Sequence, residues 1–139
     1  MVNALWAALE EHRIRPDRLI VLSHVRDYGI VKSVLPSLKA LAGGFKVRVE
    51  PEALVVPMDS LKAALAKFLE VLREAKKQGE VVLDITPARK SLASMAMKAA
   101  QLEGISRILY LHLRKIELGD WPYPLIPVTM HEMNDLGAL

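Results

Sequence analysis

The sequence predicts an α/β fold, specifically a Rossmann-like three-layer sandwich with a mostly parallel central sheet. Short apolar runs bounded by turns, such as RLIVLSH at 18–24 and VVLD at 81–84, alternate with longer stretches of helical periodicity. The alternation continues from residue 19 to residue 113, and strands joined through helices in this way run parallel with right-handed crossovers. At 139 residues the chain has the length of one domain with a single core, so 1–139 is read as one unit.

The elements follow in order. Val2, Leu5, Ala8 and Leu9 share a helical face over 2–13, and Arg15-Pro16-Asp17 ends that helix. The run 18–24 is a strand apolar enough to be covered on both faces. Val31, Val34, Leu35, Leu38 and Leu41 define a helix over 30–41, with Gly43-Gly44 at its end. Pro36 belongs in its first turn or marks a kink, because an interior proline costs roughly 3 kcal/mol. FKVRVE at 45–50 alternates apolar and charged residues, the pattern of a strand with one solvated face; Pro51 closes it and Val55-Val56-Pro57 reads as a linker. Asp59 or Ser60 caps a helix reaching Gln78, with Leu61, Leu65, Phe68, Leu72 and Ala75 toward the core. The strand at 81–84 then leads to a helix from Ala88 to about Leu102, stopped by Gly104, and to a strand at 107–113. From about 119 the chain is a proline-rich tail, with 125–130 the segment suited to a last strand.

Composition narrows the function. Hydrophobic residues make up 52% and the mean hydropathy is +0.21, values that point to surface buried by self-association and hence to a homodimer. A net charge of +3 and a pI near 9.3 suit an anionic ligand but lack the dense basic stripe of a duplex DNA binder. With no cysteine there is no disulfide or thiolate metal site, and histidines at 12, 24, 112 and 131 form no i, i+4 pair, so neither metal nor cofactor is expected. The absence of a long apolar run or signal pattern predicts a cytoplasmic protein without a membrane partner.

The chemistry gathers in two strand-end turns. In VVLDITPARKSLASMAMK, residues 81–98, a strand ends in Asp84, the turn carries Thr86 and Pro87, and a helix opens through Ala88, Arg89, Lys90 and Ser91. Unpaired N–H groups at a helix start attract anions, and two cations placed there oppose the helix dipole unless an anion lies close by. After the first strand, SHVRDYG at 23–29 brings together Ser23, His24, Arg26, Asp27 and Tyr28. If the two strands are neighbours, both turns flank one crevice at the carboxyl ends of the strands, where such sheets bind ligands. Each residue also has a plainer use: Asp84 and Thr86 as caps, Arg89 and Lys90 as solvated charges, Ser23 as a partner of backbone. Neither GxGxxG nor GxxxxGKS is present, which removes the main support for a dinucleotide oxidoreductase or a P-loop NTPase. The helix after the second turn is apolar nearly all round. Its small-residue side, with Ala93, Met97 and Ala100, suits a two-fold contact with a second copy.

These residues resemble the CRISPR-associated Rossmann-fold (CARF) domains. The family's signature after a central strand is similar to Asp-x-Thr-x-Gly-x-Lys, matched here by Asp84, Thr86 and Lys90, with Ala88 standing where glycine is usual. The strand ending in Ser23, the turn RDYG, the following helix and the segment PYPLIP extend the resemblance over most of 19–127. The resemblance implies a homodimer that binds a cyclic oligoadenylate, most of all cyclic tetra-adenylate, in type III CRISPR antiviral signalling. It further implies a metal-independent ring nuclease, in which the ribose 2′-OH attacks its own phosphate while Lys90 stabilises the developing charge and Ser23 orients the group. Asp84, Thr86, Pro87, Ala88, Arg89, Ser91, His24 and Arg26 would then bind the ligand. The alternative is a sensor without turnover, or a regulatory or scaffold protein acting through a partner.

Overall fold

The computed structural model describes residues 1–139 as an α/β arrangement of four helices and five strands. In chain order these are α1 (Val2–Glu10), β1 (Ile20–His24), α2 (Tyr28–Gly44), β2 (Glu52–Val56), α3 (Leu61–Gln78), β3 (Val82–Asp84), α4 (Lys90–Glu103), β4 (Arg107–Leu113) and β5 (His131–Asp135). Short 3-10 turns fill much of the segment between β4 and β5.

The strands form two sheets, not the single sheet expected from the alternation. β1 pairs with β2 in parallel from Ile20–Glu52 to His24–Val56. β3 pairs with β4 in parallel, and β5 adds antiparallel to β4. β1 and β3 are not hydrogen-bonded to each other; residues of both line one cavity.

Strand alternation assigns the helices to layers. Ile108 packs with Phe68 and Leu72 of α3 and with Leu92, Ala96 and Ala99 of α4. Its neighbours Leu109 and Leu111 pack instead with Ala7 and Ala8 of α1 and with Tyr123, Ile126 and Met133. Residues one apart on a strand point to opposite faces, so α3 and α4 cover one side of β3-β4-β5 and α1 covers the other.

Several expectations are corrected. Residues 45–50 form no strand. Val47 and Val49 are buried as their alternation predicts, but against Leu9 and Ala42 of α1 and α2, and pairing with β1 passes to Glu52–Val56, the segment read as a linker. The chain turns at Lys46, whose φ of 60° lies in the left-handed region, and Val47 N–H donates to Ala42 O, so that stretch is committed to the end of α2. The last strand is His131–Asp135 and not 125–130, where Pro127 lacks a ladder donor and 3-10 turns take over. Pro36 lies well inside α2, on its exposed side, where water can take up the carbonyl at Lys32 that loses its helical partner. Leu61 is exposed at the start of α3. The dimer face assigned to α4 is revised in part: Ala100 is fully buried and Met97 packs partly against the same cluster, with α3 alongside the helix, while Ala93 stays half-buried.

Asp135 secures the far end of β4. Burial alone would raise its carboxyl, but bonds from the Ile108 N–H, Arg107 and the Gly137 N–H hold it below the usual range. A Cβ on Gly137 would fall inside the Ser106 carbonyl, which is backbone and cannot swing aside. Gly137→Ala therefore lowers the melting temperature by prising this turn off β4. Gly43→Ala, with nothing near the added methyl, leaves the melting temperature unchanged or raises it. Thermal melts of the two variants check the contrast, and equal melting temperatures would contradict it.

Candidate functional site

The site is assembled from the two turns that leave β1 and β3. At the end of β1, His24 Nδ1 accepts from the Arg26 N–H at 3.0 Å and folds Val25–Asp27 into a single 3-10 turn. That turn delivers Asp27 to the start of α2. At the end of β3, Asp84 Oδ1 accepts from the Thr86 N–H at 2.8 Å, an Asx-type bend of the kind favoured by aspartate. Thr86 Oγ1 in turn accepts from the Leu111 N–H at 2.9 Å, and the Ile85 N–H donates to Leu109 O at 3.1 Å. These two bonds carry the tie to β4 past the last paired residue of β3. Asp84 and Thr86 thus bond backbone in the turn and on β4 but do not cap α4, so the plainer reading of them as caps is not met.

Pro87 and Ala88 complete the turn, and α4 starts at Lys90 with Arg89 extended at its N-cap and no side chain capping it. Arg89 instead reaches across to the other turn. Its Nε and Nη2 donate to Asp27 Oδ2 and Oδ1 at 2.7 and 2.8 Å, a two-pronged ion pair between residues 62 positions apart. The Arg89 hydrogen bond holds the Asp27 carboxyl below the usual carboxylate range, and Asp27 raises the guanidinium in return. The expected anion beside Arg89 is thus already present as Asp27. Sequence reading quoted Asp27 without assigning it a role; its signal was a carboxylate immediately before a helix start in a turn rich in polar groups.

Beneath this pair lies a cavity of about 590 Å³ between β1 and β3. Among the residues singled out from sequence, it is lined by Ser23, His24, Asp84, Pro87, Ala88 and Arg89, while Thr86, Lys90, Ser91 and Arg26 lie outside it. Lys90, Ser91 and Arg26 are exposed, and Lys90, the first residue of α4, enters no salt bridge. Ser23 is the opposite case. It is only 4% exposed, and its Oγ is the one buried side-chain oxygen or nitrogen without a hydrogen-bond partner.

Burial raises the pKa of Asp84 above its ordinary value, against the opposing effect of its bonds with Thr86. The unfolded chain then ionises at lower pH than the folded one, so stability falls as pH rises from the ordinary aspartate range through the folded pKa. Asp84→Asn keeps an acceptor for the Thr86 N–H and removes the charge. Its melting temperature should exceed that of the parent at pH 7.5, with the gap closing near pH 3.5. A variant less stable than the parent at both values would show that the carboxylate is needed for the turn itself.

No protein-family model matches the chain, and no curated protein is significantly similar to it. No helix is long and apolar enough to cross a membrane.

Proposed function

We propose that this protein is a CARF-like, Rossmann-type domain that binds a cyclic oligoadenylate, cyclic tetra-adenylate foremost, across the two-fold axis of a homodimer in type III CRISPR signalling. The observation that carries the reading is the union of the two strand-end turns by Asp27 and Arg89, with Lys90 left unpaired at the uncapped start of α4. A phosphodiester is the anion such a helix start suits, and Arg89 keeps its Nη1 free while Asp27 holds the rest of the guanidinium. Large apolar side chains stand open beside the site: Val25 is 63% and Ile30 65% exposed. They supply a surface for self-association in place of the face of α4 that α3 covers.

Cleavage on this site is an in-line attack by a ribose 2′-OH on the adjacent phosphorus. The new P–O bond forms as the bond to the 5′-oxygen breaks, the 2′-OH proton passing to water and water protonating the departing 5′-oxygen, which leaves a 2′,3′-cyclic phosphate and a 5′-hydroxyl. Lys90 and the N–H groups of the first turn of α4 stabilise the extra charge of the phosphorane, and alignment supplies the rest. A second reading, binding without turnover, is favoured by the burial of Ser23, which withdraws the hydroxyl assigned to orient the ribose.

Incubation with cyclic tetra-adenylate in the presence of a chelator, followed by chromatography, separates the two. Linear products identify a ring nuclease, and tight calorimetric binding with an intact ring identifies a sensor. Absence of both, together with a monomeric mass by light scattering, would overturn the proposal.

A further inference from the structure

The cavity between β1 and β3 has a chemistry unlike that of the cationic turn above it. Seventeen of its 23 lining residues are hydrophobic. Leu5, Val31 and Leu38 reach it from α1 and α2, and Phe68, Leu92 and Ala96 from α3 and α4. The space opens to solvent between the two turns, so an apolar guest that covers its walls gains free energy in proportion to the apolar area it removes from water. Its dimensions fall in the range of small-molecule sites, which combine apolar walls with few polar groups.

The polar groups that face it are specific. Ser23 Oγ is buried and has no partner in the protein, a condition that buried hydroxyls rarely tolerate. Asp84 lines the same space with its Oδ2 unbonded, its Oδ1 being engaged by Thr86. At the mouth, Arg89 is paired with Asp27, and the Met1 α-ammonium that also lines the space faces Asp84, so the charges at the cavity are matched within the protein. With these charges matched, a neutral guest needs no counter-ion, and Ser23 Oγ rewards one carrying a hydrogen-bond donor.

We propose that this cavity is a second binding site, for a neutral, largely hydrocarbon molecule bearing one amine, hydroxyl or amide donor that bonds to Ser23 Oγ. The cavity shares Ser23, Asp84 and Arg89 with the residues assigned to the cyclic oligoadenylate, but the proposed bond is to Ser23 Oγ and not to Lys90, so the two readings are tested separately. The probe for the test is 1-aminoanthracene, whose fluorescence rises in apolar surroundings, with anthracene as the matched molecule lacking the donor.

The folded protein should enhance 1-aminoanthracene fluorescence saturably and bind it more tightly than anthracene. Ser23→Ala should weaken 1-aminoanthracene by roughly three- to tenfold, the span of one neutral hydrogen bond, while leaving anthracene unchanged. The same variant, freed of an unsatisfied buried hydroxyl, should melt at the same or a higher temperature without probe. That pair of opposite effects is what a merely structural serine would not give. Ala96→Leu, which fills the cavity from α4, should exclude both probes, its fold being checked by circular dichroism. No saturable enhancement with the parent protein, or equal 1-aminoanthracene affinity in parent and Ser23→Ala, would overturn the proposal. An excess of cyclic tetra-adenylate should leave probe affinity measurable, and this arm stands whether or not the nucleotide binds.

Discussion

Replacing Phe68 with alanine lowers the free energy of unfolding by about 3–5 kcal/mol, the cost of deleting a buried aromatic side chain and leaving part of its volume empty. Phe68 is 3% exposed near the middle of α3, packed with Leu72 of its own helix and with the buried face of α4. It also lines the cavity between β1 and β3, so the lost ring enlarges an existing void and the neighbours have less matter with which to refill it. Against a typical net stability of about 5–15 kcal/mol, the loss is a large share of the whole. Urea unfolding followed by circular dichroism checks it through the midpoint, with the slope unchanged if the unfolded state is unaltered. A change below about 1 kcal/mol would mean that α3 and α4 close over the gap, and that the cavity is softer than its lining suggests.

Where periodicity and caps speak together, sequence reading came close to the structure. Ser60 caps α3 through the Ala63 N–H, the helix ends at Gln78, Gly104 terminates α4 in the left-handed conformation, and β4 spans 107–113 as expected. The errors fall where local pattern cannot name a partner. Val47 and Val49 alternate as a strand does, and both are buried, but alternation reports a covered face and is silent on what covers it. EALVV became β2 because it lies in register with Ile20–His24, a fact of pairing across the chain. α4 poses the same problem: its second apolar side was legible, and only packing shows α3 lying against it. In the site, the start of α4 could be read from the change of period after Asp84. The pair Asp27–Arg89 could not, since nothing local links residues that far apart, and the missing partner of Ser23 is visible only once its surroundings are assembled.

Replacing Lys90 with alanine separates the functional reading from the structural one. Lys90 is exposed and makes no salt bridge, so the fold does not depend on its charge. It is the first residue of α4, where a cation opposes the helix dipole, and its removal should leave the melting temperature unchanged or slightly raised. Binding of cyclic tetra-adenylate should move the other way. The loss of one charged hydrogen bond to phosphate is worth roughly 1.5–3 kcal/mol, or about ten- to 150-fold in affinity. If Lys90 also meets the charge that develops on the phosphorane, single-turnover cleavage should fall by more than affinity, because only contacts that strengthen at the transition state raise the chemical rate. Lys90→Arg should recover most of the affinity, the charge being kept, and less of the rate, since a planar fork replaces a compact ammonium. Calorimetry and quenched-flow chromatography on the three proteins measure each quantity. Equal affinity and equal rate in Lys90→Ala would assign the lysine to the solvated surface and remove the cationic turn as the phosphate site.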